Sequence, residues 1–172
     1  MGVLETIRAR VAVREFLPDA VPEESLRRVL EAARWTPSQR NRQPWHFIMV
    51  QDRERLRQIG ALAPSGPYIA GAPLAIAIAA AGAKPPVFDV ARAIENMELA
   101  AWEEGLGTCY VGQIDRDAVK ALLGIPTEME LITVMPFGFP SPAAKGQTKK
   151  RKALAEIAHR ERYGAPWSAG KG

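Results

Sequence analysis

The sequence lacks the side chains that several common protein chemistries need. It has one cysteine, Cys109, so no internal disulfide framework can form and a reducing compartment is favoured. The apolar TCYV surroundings of Cys109 predict a buried thiol rather than a nucleophile. The two histidines, His46 and His159, have no Cys or acid at ligand spacing, so we expect no metal site. A GxxxxGKS or GxxxxGKT phosphate loop is also missing, which argues against nucleotide triphosphatases.

Long apolar runs are missing as well. The longest uncharged apolar stretch, from Tyr68 to Ala83, falls short of the roughly 20 residues that a membrane span needs. The N-terminal sequence MGVLETIRAR has no apolar signal core, which gives secretion no support. Apolar residues make up 47% of the chain and charged residues 24%, as in globular proteins. We therefore expect one cytoplasmic domain over residues 1–172, with no membrane association.

The positive charge of the chain is local. The formal net charge is +4, but residues 145–152 carry five positive side chains and no acid, so the rest stands at −1. Nucleic-acid binders usually spread their basic residues along a face or groove. A compact cluster suits a small anion such as a phosphate, although a solvated surface or a nucleic-acid contact is also compatible with it. We expect no nucleic acid as partner.

Hydrophobic periodicity predicts a three-layer α/β (α+β) fold, in which helices flank a small central mixed sheet. Helices are expected at residues 3–8, 23–34, 53–62, 86–105, 115–123 and 150–161. Strands are expected at residues 46–51, 73–80, 108–112 and 130–138. The second and fourth strands are apolar on both faces, as strands between two helical layers would be. The long helix at 86–105 is apolar almost all round, which predicts a central position.

An N-terminal segment, residues 10–16, combines two arginines with small and apolar residues. In an extended chain Arg10, Ala12 and Arg14 project to one side. Two guanidinium groups separated by a small residue can grip a phosphate, since each binds two oxygens. The alternative is a surface pair of arginines tied to acids such as Glu15 or Asp19.

A polar loop between two tryptophans, residues 35–47, is the second candidate. Pro44 biases Gln43 towards extended backbone, so Asn41 and Gln43 should point the same way. Two amides aimed together offer the donors and acceptors that the polar edge of a heterocycle needs. An ordinary capped loop is the alternative.

Four motifs follow one another between residues 8 and 157. They are Arg-x-Ala-x-Arg-x-Phe at 10–16, Pro-Ser-x-x-Asn-x-Gln-Pro-Trp at 37–45, Asn-x-x-Leu-Ala-Ala with Gly-Leu-Gly at 96–107, and Gly-x-Pro with Lys-x-Arg at 138–151. In this order the sequence resembles the flavin-dependent nitroreductase family. The resemblance implies FMN bound without a covalent bond at the interface of a homodimer, with each flavin site shared by both chains.

The resemblance also implies which residues contact the flavin. From one subunit, the phosphate and the pyrimidine edge would be held by Arg10, Val11, Ala12 and Arg14, with Lys149 and Arg151 completing the phosphate grip. From the other subunit, the flavin would be reached by Pro37, Ser38, Gln39 and Asn41. Backbone N–H groups near the flavin N5 would come from Tyr110, Val111, Gly112 and Gln113.

The activity implied by the resemblance is hydride transfer from NADH or NADPH, through flavin N5, to a small oxidant such as a nitro-aromatic or a quinone. The two substrates would react in turn, in a ping-pong mechanism, and no dedicated catalytic residue is required. Positive charge from Arg14 would stabilise the anionic reduced flavin. Alternatives are a dehalogenase or dehydrogenase on the same fold, or a flavin-binding sensor without turnover.

This chain departs from the usual family pattern at a few positions. Ala12 stands where many relatives have serine, and Gln113 stands where a second glycine is common. The chain also lacks the long helical excursion that some relatives place over the flavin, which leaves the substrate open. In the tail, residues 160–168, Tyr163 and Trp167 would anchor a partner subunit if the tail wraps around it, and otherwise the tail would be disordered.

Overall fold

The computed structural model describes residues 2–82, 87–144 and 149–167. Within these residues, the helices are α1 (Val3–Ala9), α2 (Glu23–Arg34), α3 (Arg53–Ala61), α4 (Val87–Glu103), α5 (Arg116–Leu123) and α6 (Leu154–Ile157). The strands are β1 (Trp45–Val50), β2 (Leu74–Ala80), β3 (Gly107–Thr108) and β4 (Glu130–Gly138). None of the described helices is long and apolar enough to cross a bilayer. Pro86, residues 145–148 and Ser168, which the sequence assigned to a helix, the basic cluster and the tail, lie outside the described residues.

Local capping residues set the ends of several helices. The Asp52 carboxylate accepts a 2.9 Å hydrogen bond from the backbone N–H of Arg55 and begins α3. Asp115 does the same for Ala118 at the start of α5, at 3.0 Å. Gly124, with φ +66°, then ends α5 in the left-handed conformation. These signals are local, which explains why the predicted boundaries of these helices agree with the structure to within one residue.

The four strands form one sheet in the order β1-β2-β4-β3. Each of the three strand pairs is antiparallel. The prediction of a mixed sheet is therefore wrong, and the sheet is antiparallel. One isolated parallel bridge, between Ala12 and Thr108, lies beside it in the described residues. Apolar residues on both faces indicate burial of a strand but do not fix its direction relative to its neighbours.

The predicted three layers are present. Every residue of β2 is buried. One face of β2 contributes Leu74, Ile76, Ile78 and Ala80 to a core shared with α2 and α4. The opposite face contributes Ala75, Ala77 and Ala79 to a second core with α3 and α5. The sheet thus separates two helical layers, and its two apolar faces follow from the period-2 alternation of side chains.

Helix α4 packs one face against the sheet and α2, and its predicted apolar stripe is buried. The stripe consists of Val90, Ile94, Met97 and Ala101. The predicted central position holds for this face only, because Ala91, Arg92 and Glu95 on the other side are exposed. The open side of α4 carries the charged groups that are described below.

The third strand is much shorter than the predicted 108–112. The ladder with β4 ends at Thr108, which pairs with Phe137. Beyond Thr108, side-chain hydroxyls form hydrogen bonds with backbone groups that would otherwise pair with a neighbouring strand. Thr133 Oγ1 donates to the Val111 carbonyl at 2.9 Å, and the Gln113 N–H donates to Ser65 Oγ at 2.8 Å. The residues that follow Thr108 in the TCYV run therefore form a loop instead of a strand.

The last helix is also shorter than the predicted 150–161. It ends at Ile157, and the chain then folds back on itself through a bridge between His159 and Pro166. The Trp167 N–H donates to the Ala158 carbonyl at 2.8 Å. Residues 158–167 thus form a turn whose backbone groups pair locally, which continuation of the helix would prevent.

The segment after α1 runs extended along the sheet edge. The Val13 N–H donates to the Thr108 carbonyl at 2.9 Å, and Val11 and Val13 are buried, while Arg14 on the alternate side is exposed. This alternation confirms the predicted extended backbone. Close approach requires Gly107, since a Cβ there would lie 2.5 Å from a methyl carbon of Val13.

Candidate functional site

Two carboxylates of α4 converge on Arg10. The Arg10 Nη2 donates to both oxygens of Glu95, at 3.3 and 3.2 Å, and lies 3.1 Å from an oxygen of Glu98. Glu95 is half-exposed, whereas only 7% of Glu98 is exposed. Arg10 is thus tied to acids, as the surface alternative expected, but they lie on α4 and are not Glu15 or Asp19.

The C-terminal segment brings two further cations to Arg10. Lys149 Nζ donates to the carbonyl of Ile7, on α1, at 2.9 Å. Partial burial and the nearby charges of Arg10 and Arg151 lower the pKa of Lys149, against the opposing effect of Glu95. Lys149 is therefore close enough to both Arg10 and Arg151 to be repelled by each of them. We call these three residues the cationic cluster; the sequence predicted all three as phosphate ligands.

The carboxyl group of Glu98 has an unusual environment. Burial raises its pKa to about 7, an effect that the Arg10 guanidinium opposes and the nearby Glu95 strengthens. Glu98 therefore changes its charge near neutral pH, beside a residue predicted to bind a phosphate. No sequence motif singled out this group, although an acid next to the apolar stripe of α4 was a usable signal.

Arg14 lies against an aromatic ring. Its Cζ atom is 5.9 Å from the centre of the Tyr68 ring. The Tyr68 hydroxyl donates to Cys109 Sγ at 3.3 Å, and Cys109 is buried as expected. Burial raises the pKa of Tyr68 to about 12, and the hydrogen bond with Cys109 adds to this effect. Tyr68 is thus neutral at physiological pH and lies beside Arg14, a contact that the sequence did not reveal.

The predicted N–H donors of residues 110–113 are unequal. Gln113 uses its N–H for Ser65 Oγ, which leaves this group engaged within the chain. Gly112 has open space around it, with no atom within 4 Å of a would-be Cβ. Gly112 and Gln113 also line a depression of about 650 Å³. Its other walls are Ala61, Leu62, Pro64, Ile114, Asp115 and Arg116.

The loop after α2 is fixed at both ends. The buried Asp89 carboxylate accepts a hydrogen bond from the Gln39 N–H at 2.9 Å. Ser38 Oγ accepts one from the Gln43 N–H, also at 2.9 Å. Asn41, between these two hydrogen bonds, is exposed, and so is Pro37, which precedes them. The loop therefore has a defined shape and presents the predicted residues to the outside.

The extended backbone that Pro44 predicts for Gln43 is wrong. Gln43 has φ +49°, and Arg40 and Asn41 both have φ +54°, so three non-glycine residues occupy the left-handed region. Closure of the loop by Ser38 outweighs the local preference before proline. The two amides do meet, since Gln43 Nε2 donates to Asn41 Oδ1 at 3.2 Å, but they bond to each other instead of pointing outward in parallel.

The predicted site residues fall into two groups within one chain. The cationic cluster, Arg14 and the 110–113 loop lie along the sheet edge, near β3 and α1. The loop at 37–43 contacts the start of α4 instead. Across the described ranges, no hydrogen bond or ion pair joins this loop to Arg10, Arg14, Lys149 or Arg151.

Comparison with known proteins identifies the family. A family model described as "Nitroreductase family" matches residues 7–65 and 64–139. The chain is 36% identical over 150 residues to a protein of Methanothermobacter thermautotrophicus named "Putative NADH dehydrogenase/NAD(P)H nitroreductase", which covers 82% of this chain and 78% of that relative. It is 25% identical over 184 residues to a Bacillus subtilis protein named as an FMN reductase, covering 94% and 74% of the two chains.

Solved structures share the fold. A crystal structure of a Parabacteroides distasonis protein with the same name as the Methanothermobacter relative superimposes with a TM-score of 0.86. The two chains are 27% identical, and the match covers 94% of this chain and 98% of the other.

Proposed function

The chain belongs to the nitroreductase family of oxidoreductases, and from this we propose that it is an FMN-dependent enzyme. It would take hydride from NADH or NADPH and deliver it to a small oxidant, such as a nitro-aromatic or a quinone. The cationic cluster of Arg10, Lys149 and Arg151 is the observation that carries this proposal. The name of the Bacillus subtilis relative, an FMN reductase, supports the choice of flavin.

The cationic cluster fits the phosphate group of FMN. A phosphate monoester carries close to two negative charges at neutral pH, and guanidinium groups bind its oxygens in pairs. The Arg10 Nε is buried and has no hydrogen-bond partner in the described part of the chain, so this guanidinium retains a free donor. Lys149, whose positive charge Arg10 and Arg151 disfavour in the flavin-free protein, would gain a counter-ion from such a ligand.

The remaining residues of the sheet edge have distinct roles in this proposal. Arg14, which lies beside Tyr68, would bring positive charge to the pyrimidine edge of the flavin. Val11 is buried, so Val11 and the small Ala12 would contribute backbone groups. Gly112 and Tyr110 would offer N–H groups on the open side of the loop. Bound FMN would supply the centre that accepts and donates hydride.

Exposed apolar side chains support a homodimer with shared flavin sites. Six of the exposed large apolar side chains lie on α1, α6 and the C-terminal turn, at Val3, Leu4, Ile7, Leu154, Ile157 and Tyr163. Apolar patches of this kind on a monomer mark interaction surfaces. In the dimer, the loop that contains Pro37, Ser38, Gln39 and Asn41 would reach the flavin of the partner subunit. The tie from Asp89 to Gln39 would hold it in that shape.

Visible absorption of the natively purified protein tests the proposal. We expect a flavin spectrum that bleaches anaerobically on addition of NADPH or NADH, and the faster donor identifies the preference. A flavin spectrum that persists with both donors would favour a flavin-binding sensor. A colourless protein that also fails to take up FMN would overturn the proposal.

One matched pair of variants tests the phosphate site. Arg151→Ala removes a cation whose contact in the described residues is its own neighbour, the Lys150 carbonyl at 2.9 Å, so folding should be unaffected. We expect a loss of FMN affinity of about tenfold or more, since charge-assisted hydrogen bonds contribute about 1.5–3 kcal/mol. Lys152→Ala removes the same charge one residue beyond the cluster and should leave affinity within about twofold. Equal affinities of the two variants would place the phosphate elsewhere.

A further inference from the structure

Glu98 is a buried carboxylate that lies beside the proposed phosphate site. Glu98 lies 3.1 Å from the Arg10 guanidinium and is buried, whereas Glu95 shares the same guanidinium from the exposed side. Buried ion pairs seldom stabilise a fold more than apolar residues of similar size would. Stability alone therefore does not account for Glu98, and its contact with Arg10 is what distinguishes it.

Arg10 needs support to be ready for a ligand. It follows α1 directly and begins the extended segment, so its long side chain has many rotamers available to it. Glu98 holds one end of the guanidinium from the helix α4, while the Nε remains without a partner. A guanidinium held in this way loses less entropy when a phosphate binds.

The charges around Glu98 change when a phosphate arrives. The groups that face it or its partner are Arg10 on the extended segment, Glu95 on α4 itself, and Lys149 and Arg151 on the C-terminal segment. A phosphate bound to the three cations would add nearly two negative charges near Glu98. Like charges disfavour ionisation of a carboxyl group, so the bound complex would favour neutral Glu98.

We propose that Glu98 is a positioning residue for the cofactor phosphate, which holds Arg10 in the flavin-free protein and takes up a proton from solvent when FMN binds. This inference rests on the proposed function, because it requires that the cationic cluster binds the FMN phosphate. It adds a pH dependence to that binding, with Glu98 as its source.

The sign of the pH dependence is fixed by linkage. The pKa of Glu98 is about 7 in the flavin-free protein and would be higher in the complex. Between these two values the complex holds more protons than the free protein, so affinity falls as pH rises. The second ionisation of the FMN phosphate, near pH 6, acts in the opposite direction and is largely complete above pH 7.

Binding titrations between pH 7 and 8.5 test the proposal. Dissociation constants for FMN and for riboflavin, which lacks the phosphate, are measured by flavin fluorescence with the wild type, Glu98→Gln and Glu95→Gln. For the wild type we expect the affinity for FMN to fall about tenfold across this range. Glu98→Gln should show less than a twofold change. Glu95→Gln removes only a secondary contribution to the raised pKa of Glu98, so its affinity should still fall as pH rises. Riboflavin binding should be independent of pH in all three proteins.

Substitution of Glu98 by alanine tests whether Glu98 positions Arg10 for the phosphate. Glu98→Ala should weaken FMN binding at pH 7 by about tenfold, because Arg10 loses its buried partner. Glu98→Gln retains an acceptor for the guanidinium and should restore affinity to within about threefold of the wild type. If alanine and glutamine at position 98 both bind FMN as the wild type does, the positioning role is wrong.

Calorimetry tests proton uptake with the wild-type protein alone, so it decides the question even if a variant fails to fold. Heats of FMN binding to the wild type at pH 7.5, in two buffers of different ionisation enthalpy, give the number of protons taken up. A net uptake of about half a proton supports the proposal, and zero uptake or release overturns it. FMN that binds with an unchanged pH profile in Glu98→Gln would overturn this inference alone, whereas absence of FMN binding at every pH would overturn the proposed function as well.

Discussion

The side-chain amide of Asn96 donates a 2.7 Å hydrogen bond to the hydroxyl of Thr36. This bond joins the middle of α4 to the buried residue at which the loop 37–43 begins. Asp89, two turns earlier on the same helix, holds the Gln39 N–H at 2.9 Å. Helix α4 thus fixes the loop through two side chains on one side and holds Arg10 through Glu98 on another. One helix therefore positions both groups of candidate site residues.

Loss of the Asn96 contact should destabilise the fold. Asn96→Ala removes the donor to Thr36, whose hydroxyl is buried, and such losses cost about 1–3 kcal/mol. As a control, Gln58→Ala removes an exposed bond to Glu54 within α3, which contributes only about 0.2–0.5 kcal/mol. Urea unfolding followed by circular dichroism gives both free energies of unfolding. Similar free energies of unfolding for the two variants would show that the hydrogen bond from Asn96 to Thr36 does not stabilise the fold.

Two glycines of the sheet edge should respond differently to alanine. A Cβ at Gly107 would lie between 2.5 and 2.8 Å from three side-chain carbons of Val13, so Gly107→Ala must displace the extended segment. We expect a loss of about 1–3 kcal/mol in the free energy of unfolding, typical of overpacking. Gly112→Ala meets no atom within 4 Å and should leave stability within about 0.5 kcal/mol. The pair is compared by urea unfolding of the flavin-free proteins, and equal losses would contradict the packing of Val13 on β3.

The loop after α2 stores backbone strain that glycine should relieve. Arg40 has φ +54° and ψ +26°, a conformation that costs a non-glycine residue about 1 kcal/mol or more. Arg42, two residues later, has φ −70° and ψ −27°, where glycine only adds freedom to the unfolded chain. We therefore expect Arg40→Gly to be more stable than Arg42→Gly by about 1–2 kcal/mol in thermal or urea unfolding. The reverse order would mean that Arg40 does not hold the left-handed conformation in solution.

Local signals account for most of what could be predicted from the sequence. Asp52, Asp115 and Gly124 set helix ends through contacts within a few residues, and the apolar faces of β2 required two helical layers. The direction of the strands depends on long-range pairing, which composition does not encode. The predicted strand beyond Thr108 and the predicted extended backbone at Gln43 were wrong for one shared reason. In each case a side-chain hydroxyl bonds a backbone group: Thr133 bonds the Val111 carbonyl, and Ser38 bonds the Gln43 N–H.

The candidate site was predicted where it depends on residue type and missed where it depends on tertiary contact. Two arginines on one side of an extended segment and a basic C-terminal segment indicate an anion site, and the fold brings Lys149 near both Arg10 and Arg151. The partners of these cations, Glu95 and Glu98, lie on a helix more than 80 residues away in sequence from Arg10. No local pattern links such groups, so only the packing of α4 beside the extended segment reveals them.

Glu98 should also give the flavin-free protein a pH-dependent stability. Burial raises its pKa from an ordinary value of 4.5 to about 7, so between these pH values the folded state binds a proton that the unfolded state releases. The free energy of unfolding that Glu98 contributes therefore falls as pH rises from about 4.5 to 7, by about 3 kcal/mol in total. Glu98→Gln resembles the neutral carboxylic acid at every pH. It should match the wild type near pH 5 and exceed its stability near pH 8.

Urea unfolding at pH 5, 6.5 and 8 measures this difference without any flavin present. Glu95→Gln is the matched control, since Glu95 contacts the same guanidinium from a half-exposed position and should change stability by less than about 0.5 kcal/mol at each pH. If wild type and Glu98→Gln differ by the same amount at all three pH values, Glu98 does not titrate in this range. A growing advantage of the glutamine variant would instead show that a buried carboxylate is retained at a cost to stability, as expected of a residue that serves the binding site.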